Sequence, residues 1–174
     1  MSQPAIAERE DEMSQAAIAE LIERNIGELI QEWTKTVRAD PRIVSDSGLT
    51  TPELIDHVPA IVAEICALMR KGETPGVTNT HEARANVYTR VAQGYSGRDL
   101  VRELSLLRIV LIDFVMETVT SEPLGISNAD RHGAIHVLNL YLDEEMRYAI
   151  TVYCGPGAAV VALPPATGKP IEVE

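Results

Sequence analysis

A chain of 174 residues, 45% of them hydrophobic, carries enough apolar material for one full core. Its formal net charge of −11 excludes general affinity for a phosphate backbone or an anionic membrane surface, so neither nucleic acid nor membrane is an expected partner. Aromatic residues make up only 4%, which leaves a core of Leu, Ile, Val, Ala and Met and few stacking platforms for bases or flat cofactors.

The first segment, residues 1–14, gathers Glu8, Glu10, Asp11 and Glu12 and reads as a solvated acidic terminus. It lacks a basic region followed by an apolar run, so it is no signal peptide, and no apolar stretch approaches the ~20 residues of a membrane span. Ile18, Ile22, Ile26, Leu29, Trp33 and Val37 then recur at steps of three and four, predicting one long helix with Ser14 as a candidate cap and Pro41 as its end. Asp46-Ser47-Gly48 reads as a loop. Thr51-Pro52-Glu53 opens a second helix, with Thr51 as cap, proline at the first helical position and acid in the first turn. Its stripe is Leu54, Val58, Ile61, Ile65 and Leu68, and Pro59 inside it predicts a kink or short break, because proline cannot donate to the Ile55 carbonyl.

Gly72 to Gly76 forms a turn. A more polar third helix follows from about Thr80 to Gln93, and Gly94 is placed to stop it in the left-handed region. Ser96-Gly97-Arg98-Asp99 reads as a capping box in its Asp form, opening a fourth helix that is apolar on two sides and therefore central. Glu122-Pro123-Leu124-Gly125 breaks the chain, and Ser127-Asn128-Ala129-Asp130 is a second capping box. The last helix carries Ile135, Leu138, Leu142, Met146, Ile150 and Tyr153, and Gly155-Pro156-Gly157 ends it. The prediction is all-α: a bundle of about five helices over residues 15–154, with residues 155–174 as a Gly- and Pro-containing tail or linker.

Few constellations carry chemistry. His132 and His136 lie four apart on one helical face, the spacing of a metal clamp, but neither a Cys nor a second His pair accompanies them. His81-Glu82-Ala83-Arg84 has the His-acid order of a phosphoacceptor box, in which the acid assists proton removal, without the proline that usually follows. No nucleophile elbow, Walker loop, dinucleotide glycine motif or zinc-protease motif is present, so the expectation is no enzyme, with His81 the one residual phosphoacceptor. Cys66 and Cys154 have no paired spacing and read as reduced thiols of a cytoplasmic protein. Arg108 sits among Leu104, Leu107, Leu111 and Ile112, and a guanidinium near a core needs a partner; Glu64, Asp143 and Glu144 are the candidates, with a wet head group the alternative.

One block has wider meaning. Arg90-Val91-Ala92-Gln93-Gly94-Tyr95-Ser96 is followed by Leu100-Val101-Arg102-Glu103-Leu104 and then Leu106-Leu107-Arg108. Together with Trp33, Thr51-Pro52-Glu53-Leu54 and Pro59, this resembles the N-terminal domain of RsbRD-type co-antagonists, a helical domain also found ahead of bacterial sensor histidine kinases. The resemblance covers about residues 15 to 153. It implies that Arg90, Gly94, Tyr95, Ser96, Glu103 and Arg108 are structural, family-motif positions. It further implies a sensory or regulatory input domain, globin-like in related stress-complex proteins, usually dimeric, and coupled to an output domain or protein partner. The expected function is therefore a non-catalytic, cytoplasmic signalling module without a cofactor, self-associating as a homodimer through helix faces. The alternative is a haem or metal sensor using His57, His81 or the His132/His136 pair.

Overall fold

The structure, a computed structural model, describes residues 15–76, 79–121 and 126–155; Ser14, Glu122 to Gly125, Pro156, Gly157 and the tail lie outside the described residues. Among the described residues the fold is all-α, with no strand. Each of the five predicted helical spans is present, and two of them are divided.

The first span comprises α1 (15–24) and α2 (Ile26–Ala39). Asn25 divides them: its backbone leaves the helical region, and its side-chain amide donates to the Leu21 carbonyl at 2.8 Å. A polar side chain that bonds its own helix backbone competes with the helical ladder. The apolar stripe nevertheless continues across the break, burying Ile18 and Ile22 before it and Leu29, Trp33 and Val37 after it. Ser45–Gly48 form a single 3-10 turn where an irregular loop was expected.

In the second span, α3 (Thr51–Ile55) and α4 (Val58–Lys71) are separated at Asp56-His57, directly after Ile55, whose carbonyl Pro59 cannot donate to. The cap of α3 is Thr50, one residue earlier than predicted. Its hydroxyl accepts from the Glu53 amide, and the Glu53 carboxylate accepts from the Thr50 amide at 2.7 Å. The box needs its acid three residues after the cap, and only Thr50 has that spacing to Glu53.

Then come α5 (His81–Ala92), α6 (Gly97–Ser121) and α7 (Asn128–Cys154). Ser127 and Asp130 close the predicted capping box at the start of α7. α6 is the central helix, packed against α7, α2 and α5. The core-facing stripe of α7 is rotated from the predicted one. It buries Leu138, Tyr141, Leu142, Glu145 and Ala149, whereas Ile150 stands 55% exposed.

Candidate functional site

α5 differs from its neighbours in what it buries. α4 buries Val58, Ile61, Val62, Ile65, Cys66, Leu68 and Met69, whereas α5 buries only Ala83 and Val87 beside Asn86 and Arg90. Residues four apart on a helix line up on one face. Glu82, Asn86 and Arg90 fall in such a line, and each meets a polar group from another helix.

At the start of α5 the amides of His81 and Glu82 donate to the Glu64 carboxylate of α4 at 3.1 and 3.2 Å. An anion at a helix N-terminus satisfies otherwise orphaned donors and meets the positive end of the helix dipole. The Tyr141 hydroxyl donates to the same carboxylate at 2.5 Å, and burial with this partner pushes the phenol far above its ordinary range.

One turn on, the Asn86 amide donates to Oε1 of Glu145 at 2.8 Å. Both residues are 1% exposed. Glu145 Oε2 and Asn86 Oδ1 are buried without a hydrogen-bond partner. Burial pushes the Glu145 carboxyl up to about 8; Glu103 and Glu64 add to the rise, while the Asn86 hydrogen bond and Arg90 oppose it. Glu145 is thus a neutral acid at neutral pH, and its hydroxyl is a donor where an ionised carboxylate would offer only lone pairs.

A further turn on, Arg90 is fully buried. Its Nη2 donates to Glu103 Oε1 at 2.8 Å and to the Leu54 carbonyl at 2.5 Å, and its Nη1 donates to the Glu53 carbonyl at 3.0 Å and to Gln93 Oε1 at 2.9 Å. Arg90 therefore binds the carbonyl end of the short helix α3 to α6. Trp33 Nε1 donates to the Glu103 carbonyl at 3.3 Å and joins α2 to the same point.

The corner after α5 fixes this line. Gly94 has φ +73, and the Tyr95 and Gly94 amides return to the Arg90 and Val91 carbonyls at 2.8 and 3.0 Å, closing a Schellman motif. Tyr95 is 2% exposed, its ring beneath the Arg90 guanidinium at 5.2 Å. Ser96 caps α6 by accepting from the Asp99 amide at 3.0 Å. The expected reciprocal bond is replaced: the Ser96 amide donates to Ser45 Oγ at 3.1 Å. Asp99 Oδ2 instead accepts from Ser45 Oγ and from the Val44 and Ser45 amides. Burial alone would raise the Asp99 carboxyl, but these bonds outweigh it and hold the group below its ordinary value.

The other candidates are placed as follows. Arg108 pairs with Asp143, one of its three expected partners. The Arg108 side chain is 25% exposed and Asp143 62%, so the pair is solvated and worth about 1 kcal/mol or less, rather than the larger value of a buried pair. His81, His132 and His136 are exposed. His57 is engaged through both ring nitrogens, Nδ1 with Glu82 at 3.3 Å and Nε2 with Thr89 at 2.9 Å. That hydroxyl–imidazole–carboxylate order matches a hydrolytic triad. Thr89 lies within α5, where the neighbouring backbone amides are engaged in the helical ladder. Among the described residues, no group of three or more His, Cys, Asp or Glu side chains is placed to hold a metal ion. No helix among them is long and apolar enough to cross a membrane.

Glu64, Asn86, Tyr141 and Glu145 were missing from the sequence-derived site. Their signal was available: Asn86 and Arg90 occupy core positions of the stripe through Ala83 and Val87, and Glu145 lies on the stripe through Leu138, Tyr141 and Leu142. No curated protein and no solved structure matches the chain. The family model for the RsbT co-antagonist protein RsbRD N-terminal domain matches residues 27–154, from the start of α2 to the end of α7 and across the whole polar seam. The chain belongs to the RsbRD N-terminal domain family.

Proposed function

We propose that this chain is a non-catalytic regulatory input domain in which α5 is the moving part. The observation that carries the reading is the seam beneath α5. It is attached to α3, α4, α6 and α7 by hydrogen bonds and one buried ion pair, with little apolar packing of its own. An apolar contact loses area gradually, whereas a polar seam is either satisfied or costly, which favours two discrete arrangements over a continuum. Left-handed glycines lie on either side of the helix, Gly72 at the end of α4 and Gly94 after α5.

In this reading a signal changes the position of α5, and α7 carries the change through Tyr141 and Glu145. The family description names a co-antagonist of RsbT. We extend that to a cytoplasmic stress-signalling role in which the chain acts on a protein partner or output domain. Self-association as a homodimer is part of the proposal, through α7, whose Ile150 is more than half exposed beside Val101 of α6. Spin labels test the moving helix, with Cys154→Ser as background. One pair sits at Ala92 on α5 and Thr151 on α7, and a reference pair at Ala63 on α4 and His136 on α7; all four sites are exposed. A broad or two-peaked distance distribution for the first pair beside a narrow reference supports the proposal, and two equally narrow distributions overturn it. A visible absorption spectrum and metal analysis of the purified chain decide the alternative of a haem or metal sensor.

A further inference from the structure

A second feature lies further along α6. α2 and α6 leave between them a half-open groove of about 440 Å³. Its apolar lining is Leu29 from α2 and Ile109, Val110 and Phe114 from α6. Ile109 is 47% exposed, unusual for a large aliphatic side chain on a central helix.

The rim is acidic on both walls. Glu28 and Glu32 stand four apart on α2, and Asp113 and Glu117 stand four apart on α6. Like charges at that spacing destabilise a helix. Among the described residues Glu28 and Asp113 have no cationic partner, and Glu32 has only Lys35 at 3.4 Å on the open surface. An apolar floor with Glu28 on one wall and Asp113 on the other matches a surface with an apolar centre and positive edges. A second copy of the chain does not supply it: the formal net charge is −11, and this face would bring carboxylates against carboxylates.

We infer that the α2/α6 groove is a docking site for a basic amphipathic helix of a protein partner. From Glu28 to Thr36 the wall runs over eight helical steps, about 12 Å at the helical rise, which accommodates roughly two turns of such a helix. Its apolar residues at i, i+3 or i+4 and i+7 would meet Ile109, Val110 and Phe114, with Lys or Arg on either flank above the carboxylates. The inference does not depend on α5, so its failure would leave the regulatory reading standing.

The probe is a fluorescein-labelled helical peptide with Leu at i, i+3, i+4 and i+7 and Lys at the flanking positions, titrated onto the full chain by anisotropy. Two controls share its length: a scramble of the same composition, and a version with Glu in place of Lys. The expected result is micromolar binding of the Lys peptide, at least tenfold tighter than either control and weakened by added salt. Glu32→Lys with Asp113→Lys, and separately Ile109→Ser, should each weaken it at least tenfold, whereas Tyr88→Ser on the remote face should leave it unchanged. Circular dichroism checks that each variant is folded, and Glu32→Gln with Asp113→Gln replaces the reversal variant if that one unfolds. Equal affinity for the scrambled peptide, no binding at 100-fold excess over the chain, or indifference to the groove variants would overturn the proposal. So would a homodimer that dissociates on Ile109→Ser, because it would make a second copy the occupant.

Discussion

Replacing Glu145 by glutamine should stabilise this protein, and by an amount that depends on pH. Glu145 is 1% exposed, and burial raises its carboxyl from the ordinary value of 4.5 to about 8. Between those two values the unfolded chain has released the proton and the folded chain still holds it, so the native state binds more protons. Stability is therefore full below about pH 4.5 and falls as pH rises toward 8, by about 1.4 kcal/mol per unit. At pH 7 the accumulated cost is about 3 kcal/mol, reaching about 5 kcal/mol above pH 8. Glutamine has the shape of the protonated acid but no proton to lose. Its carbonyl can keep the 2.8 Å bond from Asn86, and its amide supplies a donor where Glu145 Oε2 and Asn86 Oδ1 now lack partners. For a domain of this size, about 3 kcal/mol corresponds to a rise in Tm of roughly 6–12 °C. Urea denaturation of both proteins from pH 4.5 to 9 is the assay. The expected record is a gap that is small at pH 4.5, widens with pH and levels off near 8. A gap independent of pH, or a glutamine variant less stable at pH 8, would refute the assignment of Glu145 as a neutral buried acid.

Other predictions follow from the same geometry. Arg90→Leu removes the cation from a fully buried pair and leaves Glu103 and two carbonyls short of donors, so it should cost about 3–5 kcal/mol in urea denaturation, with Arg90→Leu/Glu103→Leu less destabilised than the sum of the single changes; a loss under about 1 kcal/mol would contradict the burial of the pair. Gly94→Ala meets no atom within 4 Å, so its expected cost of about 1 kcal/mol is backbone strain at positive φ, and an unchanged Tm would place Gly94 outside the left-handed region. Gly97→Ala acts differently. The new Cβ would stand 2.8 Å from Cγ of Tyr153 and must displace a ring whose hydroxyl donates to the Tyr95 carbonyl at 2.9 Å. Burial pushes the Tyr153 phenol up to about 12, so this variant should bring it down toward 10 in an ultraviolet titration, and no change would mean that the ring is not pinned there. Light scattering at tens of micromolar chain should give twice the 19.0 kDa chain mass if α7 self-associates around Ile150, and Ile150→Ser should return it to the single value.

The helical spans were legible in the sequence because their signals are local. Apolar spacing marked each helix, Pro59 marked the division between α3 and α4, Gly94 marked the left-handed stop, and Ser127 with Asp130 marked a cap. Asn25 was not legible as a break, since the apolar stripe runs through it undisturbed and only its side-chain bond to Leu21 diverts the backbone. The polar seam was harder still. Counting polar residues as outward-facing turned the predicted stripe of α7 toward Met146 and Ile150, when Glu145 faces the core. The same habit singled out Arg108, whose apolar neighbours suggested burial, whereas Arg90, whose neighbours are Thr89 and Val91, was marked only by the family motif. Burial of a charge is decided by what other helices bring to it. For Arg90 these are Glu103 and the carbonyls of Glu53 and Leu54, from 13 to 37 residues away. No local pattern encodes such a meeting, and Asp99 shows the same limit: its spacing to Ser96 predicts a capping box, yet its carboxylate is taken by Val44 and Ser45.

Native-state hydrogen exchange, read residue by residue on the full chain at pH 6 and pH 8.5, tests most directly whether α5 is a separately moving helix held by a polar seam. The expected result is an opening free energy for the α5 amides well below that of the α4 and α6 amides. It should fall further at pH 8.5, where Glu145 ionises, and Glu145→Gln should abolish that fall. If α5 instead exchanges only by global unfolding, with the same opening free energy as α4 and α6 at both pH values, α5 is part of the rigid core and the regulatory account is wrong.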